Sequence, residues 1–135
     1  MAVKFFAGYL AAAVVFLALD FVWLTQVASG FYRRRLGDVL LDTPNLWAAA
    51  GFYAVYVVGI VIFALAPALR ADSAARALFL GALFGFFSYS TYDLTNYAVL
   101  KGWSVTVATV DIAWGTCLSG VAALAGYLAA RIAVQ

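Results

Sequence analysis

Residues 74–100 read AARALFLGALFGFFSYSTYDLTNYAVL, and the fold turns on whether this run is a membrane span. Its first half, Ala77 to Phe87, is oily. Its second half carries Tyr89-Ser90-Thr91-Tyr92-Asp93-Leu94-Thr95-Asn96-Tyr97 before apolar Ala98-Val99-Leu100. At about 1.5 Å per residue the run is long enough to cross a hydrocarbon core of roughly 30 Å. As a span it places the carboxylate, the carboxamide, the three tyrosines and the three Ser/Thr hydroxyls of Tyr89–Tyr97 inside the bilayer. Such groups are costly there and face a protein interior or a water-filled cavity.

The rest of the chain supports the membrane reading. Of its 135 residues, 67% are hydrophobic and 10% charged, with mean hydropathy +1.02. A soluble domain has about 45–50% apolar and about 25% charged residues. A soluble chain this oily could not cover its own core. Net charge is +2, too small for a nucleic-acid partner, and no aromatic-plus-basic groove for single strands is visible. The expected partners are membrane lipids. The chain has one cysteine, Cys117, and no histidine. That leaves no intrachain disulfide, no Ser-His-Asp or Cys-His catalysis, and no metal site built on histidine or several cysteines. Cys117 reads as a small apolar filler.

Three further apolar runs complete an all-α membrane protein, a compact bundle of four transmembrane helices in a single domain. Span one is about 5–28; Lys4 and the oily run resemble a signal peptide, but the run is too long and is interrupted by Asp20 and Trp23. Ser29-Gly30 is expected to end it. Phe31 to Asn45 reads as a short amphipathic interfacial helix, with Arg34 and Asp38 an i,i+4 pair. Thr43 and Pro44 suit the N-cap and first position of span two, 46–69. Asp72 or Ser73 can cap span three, 74–100. Lys101-Gly102-Trp103-Ser104 makes a tight hairpin into span four, 105–132, with Trp103 at the interface. Gly81 and Gly85 form a small-xxx-small pattern through which a homodimer could assemble. Basic residues divide evenly: Lys4, Arg70, Arg76 and Arg131 on one side, Arg33, Arg34, Arg35 and Lys101 on the other. Weighting the first helix puts the triple arginine in the cytoplasm.

Depth collects the polar groups. With spans alternating in direction, Asp20 lies about 15 Å, and Asp93 and Asp111 about 10 Å, from the face holding the first loop. Tyr53 and Tyr56 fall in the same layer. Asp93 shares a helix face with Asn96, Asp20 with Trp23, and Asp111 with Trp114. D-x-x-W thus occurs twice, too short to claim a repeat. Three carboxylates in one low-dielectric layer need protons or a cation. The candidate solute- or ion-binding set is Asp20, Asp93, Asn96, Asp111, Tyr53, Tyr56, Tyr92, Trp23 and Trp114; no metal site is expected. Arg33, Arg34, Arg35 and Lys101 are candidate headgroup contacts that could also snorkel towards the acids, or they only set topology. The aspartates could instead be protonated glue between helices.

Tyr89 to Asn96, Leu100-Lys101-Gly102-Trp103, Val110 to Thr116, and Asp20-Phe-Val-Trp23 resemble the signature of a family of small bacterial predicted membrane proteins, catalogued as a domain of unknown function. The likeness covers nearly the whole chain. It implies a compact four-helix protein of the bacterial cytoplasmic membrane, and supplies no activity, cofactor or catalytic residue. The expected function is proton- or cation-linked transport or binding of a small solute or lipid. The alternatives are a membrane-embedded enzyme using paired aspartates as acid and base on a lipid or isoprenoid, and a structural or regulatory subunit.

Overall fold

A backbone without water must bond to itself, so oily runs of this length become helices. The computed structural model describes residues 1–134 and shows that outcome. Helix α1 (Ala2–Val22) passes through a π-helical segment (Trp23–Ala28) into α2 (Ser29–Leu36). A 3₁₀ turn at Gly37–Val39 and an irregular stretch follow. Helix α3 (Leu46–Ile60) runs through a second π segment (Val61–Leu65) into α4 (Ala66–Arg70). Two long helices, α5 (Ala74–Val99) and α6 (Val105–Ile132), complete the chain. No strand occurs among the described residues.

The runs Ala2–Val39, Leu46–Arg70 and Val105–Ile132 are long and apolar enough to cross a membrane. Helix α5 has the length, 26 residues, but its polar second half leaves it less apolar than these three. Its place in the bundle comes from packing. Helix α6 is the centre: it makes its broadest contact with α5 and the next with α1. Small residues allow this. A Cβ at Gly85 would stand 2.6 Å from the Ser119 hydroxyl, and one at Gly81 would stand 2.7 Å from the Ser119 carbonyl. The expectation that Gly81 and Gly85 serve a dimer is therefore corrected, because α6 already covers both. Large apolar side chains such as Phe6, Phe21, Val55, Phe63, Phe79 and Phe87 point outward, as a lipid-facing surface requires.

Several local expectations change. Ser29-Gly30 does not end the first helix. The basic segment continues it without a break and stops at Gly37, whose φ of +49° leaves the helical region. Arg34 and Asp38 then lose i,i+4 geometry and form no ion pair. The N-cap of α3 is Asn45, whose side chain accepts from the Ala48 N–H at 3.1 Å. Pro44 precedes the cap, and Thr43 lies further out. Ser73 and Ser104 cap α5 and α6 as expected, accepting from Arg76 N at 3.2 Å and Val107 N at 3.2 Å. Gly102 takes the left-handed turn, φ +76°. Asp72 instead pairs with Arg131 and accepts from the Tyr127 hydroxyl at 3.1 Å.

Overpacking the α5–α6 seam should be costly. Gly85→Leu is expected to destabilise the bundle by about 1–3 kcal/mol, read as an earlier thermal unfolding transition in detergent. Gly51→Ala, with nothing within 4 Å of the added methyl, is expected to leave the transition unchanged or slightly raised.

Candidate functional site

Asp20, at the end of α1, is 8% exposed. Two long side chains meet it from other helices. The Tyr53 hydroxyl of α3 donates to one oxygen, and the Trp114 indole N–H of α6 donates to the other at 3.2 Å. A single carboxyl thus ties three helices together.

One turn of π helix builds the next link. Trp23 and Tyr32 are nine residues apart, which in an ideal helix is about 2.5 turns and puts them on opposite faces. The wider π turn between them takes up part of that rotation. Within it, the Thr25 hydroxyl donates to the Phe21 carbonyl at 2.8 Å and lies 3.4 Å from that of Val22, a back-bond that competes with the α ladder. As a result the Trp23 indole N–H donates to the Tyr32 hydroxyl at 3.3 Å. Tyr32 in turn donates to Asp111 at 2.8 Å. Trp23 also stacks flat on Trp114, with centroids 4.5 Å apart and planes 7° apart.

The two D-x-x-W stretches are therefore crossed. The Trp of the second bonds directly to the Asp of the first. The Trp of the first reaches the Asp of the second through Tyr32.

Asp93 completes the layer and differs from its neighbours. It is 0% exposed, and neither carboxyl oxygen has a hydrogen-bond partner. Asp111 and the Trp103 indole face it, with Tyr32 and Tyr92 also within electrostatic reach. The Trp103 N–H is also buried and without a partner. No Lys or Arg enters this layer. The one ion pair among the described residues is Arg131 with Asp72, at the other end of the bundle.

The remaining expected residues divide. Tyr56 is buried but turns to Ser119, at 2.7 Å, rather than to an acid. Tyr92 is 56% exposed and packs edge-on to Trp103, with centroids 5.7 Å apart. Asn96 shares the helix face of Asp93 but makes no bond to it, and lies beside Tyr92. Arg34, Arg35 and Lys101 stay exposed and do not reach the acids. Arg33 lines a cavity of about 530 Å³ with Tyr32, Ser29 and Asn45. Among the described residues, no three His, Cys, Asp or Glu side chains converge as metal ligands.

Tyr32 and Trp103 were not singled out for the site in the sequence. Tyr32 lay behind an unseen π turn, and Trp103 read as an interface anchor. The second D-x-x-W was the available signal, since each acid needed a donor from another helix.

The family model described as "Predicted membrane protein (DUF2177)" matches residues 5–128. The chain belongs to this family. Asp20, Asp93, Asp111 and both D-x-x-W stretches of this DUF2177 member lie inside the matched range. Neither the curated proteins nor the solved structures give a match.

Two outcomes check the crossed network. The stacked indoles should give an exciton-split signal in circular dichroism, lost in Trp23→Leu and in Trp114→Leu. Tyr32→Phe leaves an acceptor of Asp111 and the Trp23 N–H unpaired, so a loss of about 1–3 kcal/mol is expected in detergent unfolding.

Proposed function

We propose that this membrane protein binds a small solute or lipid within the bilayer and couples that binding, or its transport, to a proton held by Asp93 and Asp111. The observation that carries the proposal is the orphaned Asp93 carboxyl. Helix glue makes hydrogen bonds, as Asp20 does with Tyr53 and Trp114. Asp93 finds no hydroxyl or amide donor and faces a second carboxyl instead, although it is fully enclosed. A buried, unpaired carboxylate is too expensive to keep charged beside a second one. Two adjacent carboxyls with no cation nearby favour sharing a proton.

Binding fits better than bond making. An acid–base enzyme needs its carboxyl at the substrate, and Asp93 is closed off. Proton release here needs only a change in what faces the pair. Placement in a bacterial cytoplasmic membrane belongs to the same proposal. So does a homodimer that encloses a path, which must use an outer face because α6 occupies Gly81 and Gly85.

The proton store can be tested without knowing the solute. Infrared spectra of the protein in lipid at neutral pH should contain the carbonyl stretch of a protonated carboxyl, missing from Asp93→Asn. An identical spectrum for the variant would remove Asp93 from this role. In proteoliposomes, Asp93→Asn should abolish proton movement coupled to solute while the protein stays folded.

A further inference from the structure

The second span leaves one flank of the acidic layer open. Its π segment packs on α5, but α3 leans instead on α1, where the Tyr9 hydroxyl donates to the Ala54 carbonyl at 3.3 Å. A lateral cleft of about 350 Å³ results, lined by Phe52, Tyr56, Ser88, Tyr89 and Tyr92. Four of its five residues are aromatic. Their rings are mutually set: Phe52 and Tyr56 have centroids 5.3 Å apart, and Tyr56 and Tyr89 stand edge-on at 6.1 Å and 87°. A second cavity of about 420 Å³ adjoins it at Ser88 and is lined by Phe63, Leu80 and Phe84.

Two cleft residues belong equally to the acidic layer. Tyr89 lies within electrostatic reach of Asp20 and Asp111, and Tyr92 within reach of Asp111 and Asp93. Gly115 leaves the space that lets the Tyr89 ring sit against α6. The wall of the cleft is therefore a set of π faces with three carboxyls behind it, and the acidic layer holds no basic side chain.

We infer that this cleft is the binding site for a lipophilic organic cation, an amine or quaternary onium compound whose apolar groups extend along α5. The inference rests on the proton-linked reading above and names its ligand class. Aromatic faces attract cations, most strongly when water is excluded. The carboxyls behind them repel anions and give a neutral lipid chain nothing to recognise. Charge balance follows: the cation enters, and one proton leaves the Asp93–Asp111 pair. Tyr32 and Tyr92 are the other titratable groups that face Asp93, and Asp20 and Tyr53 close the layer through Tyr89. Binding should therefore tighten as pH rises, by up to about tenfold per pH unit for one proton released.

The test uses two ions of one shape and opposite charge. Binding of tetraphenylphosphonium and of tetraphenylborate to the full chain in neutral-lipid nanodiscs is measured by tryptophan fluorescence and by calorimetry. The phosphonium should bind saturably, and the borate should not. Tyr92→Leu and Phe52→Leu, both on partly exposed rings, should weaken the phosphonium by about 2- to 30-fold. Phe79→Leu, outward-facing and away from the cleft, should not. Equal uptake of both ions, as in partition into lipid, would overturn the proposal. So would phosphonium binding that is indifferent to both cleft variants. Absent phosphonium binding with the Asp93-dependent infrared band intact overturns the cation site alone. Binding whose pH slope survives Asp93→Asn keeps the cation site and overturns the proton store.

Discussion

Everything in the bundle depends on how closely α5 can lie against α6. Lipid offers no hydrophobic drive for helix association, so contact must come from packing. Gly81 and Gly85 let α5 approach the backbone of α6 at Ser119. Gly115 on α6 returns the allowance, accepting the Tyr89 ring. That approach carries Asp93 inward to full burial opposite Asp111. It also seats in the bundle a helix whose second half is less apolar than the other long helices. Without the seam Asp93 would lie on the outer surface with Tyr92 and Tyr97, which stay more than half exposed.

The acidic layer is a second constraint laid over the first. Asp20 and Asp111 are each satisfied by donors from other segments, and the donors come crosswise from the two D-x-x-W stretches. This network fixes α1, α2 and α6 relative to one another, and Tyr53 adds α3. Asp93 and the Trp103 indole N–H that faces it stand unpaired inside this frame.

The cleft between α3 and α5 follows from the same geometry. The second span is held to α5 by its π segment and to α1 through Tyr9 and Asp20, so it cannot close along its whole length. Its aromatic lining meets the acidic layer through Tyr89 and Tyr92. Charge and access are thus separated by one layer of rings.

Much of this was legible in the sequence. Oily runs of spanning length must be helices because lipid cannot bond a bare backbone. The caps at Ser73 and Ser104, the turn at Gly102 and the common depth of Asp20, Asp93 and Asp111 follow from local chemistry and from 1.5 Å per residue. Depth, however, is only one coordinate. Which carboxyl is paired depends on rotation about each helix axis, and a π turn shifts that rotation without a clear mark in the sequence. Hence Tyr32 and Trp103 were missed, and depth alone did not show that Tyr56 turns to Ser119. The glycines at 81 and 85 announced a close approach but not its partner, since a neighbouring helix and a second copy require the same small residues. The sequence by itself determined that three carboxyls sit at one level in a helical membrane protein. Only the tertiary structure decided that two are satisfied and Asp93 is not, because hydrogen bonding depends on the few ångströms between helices.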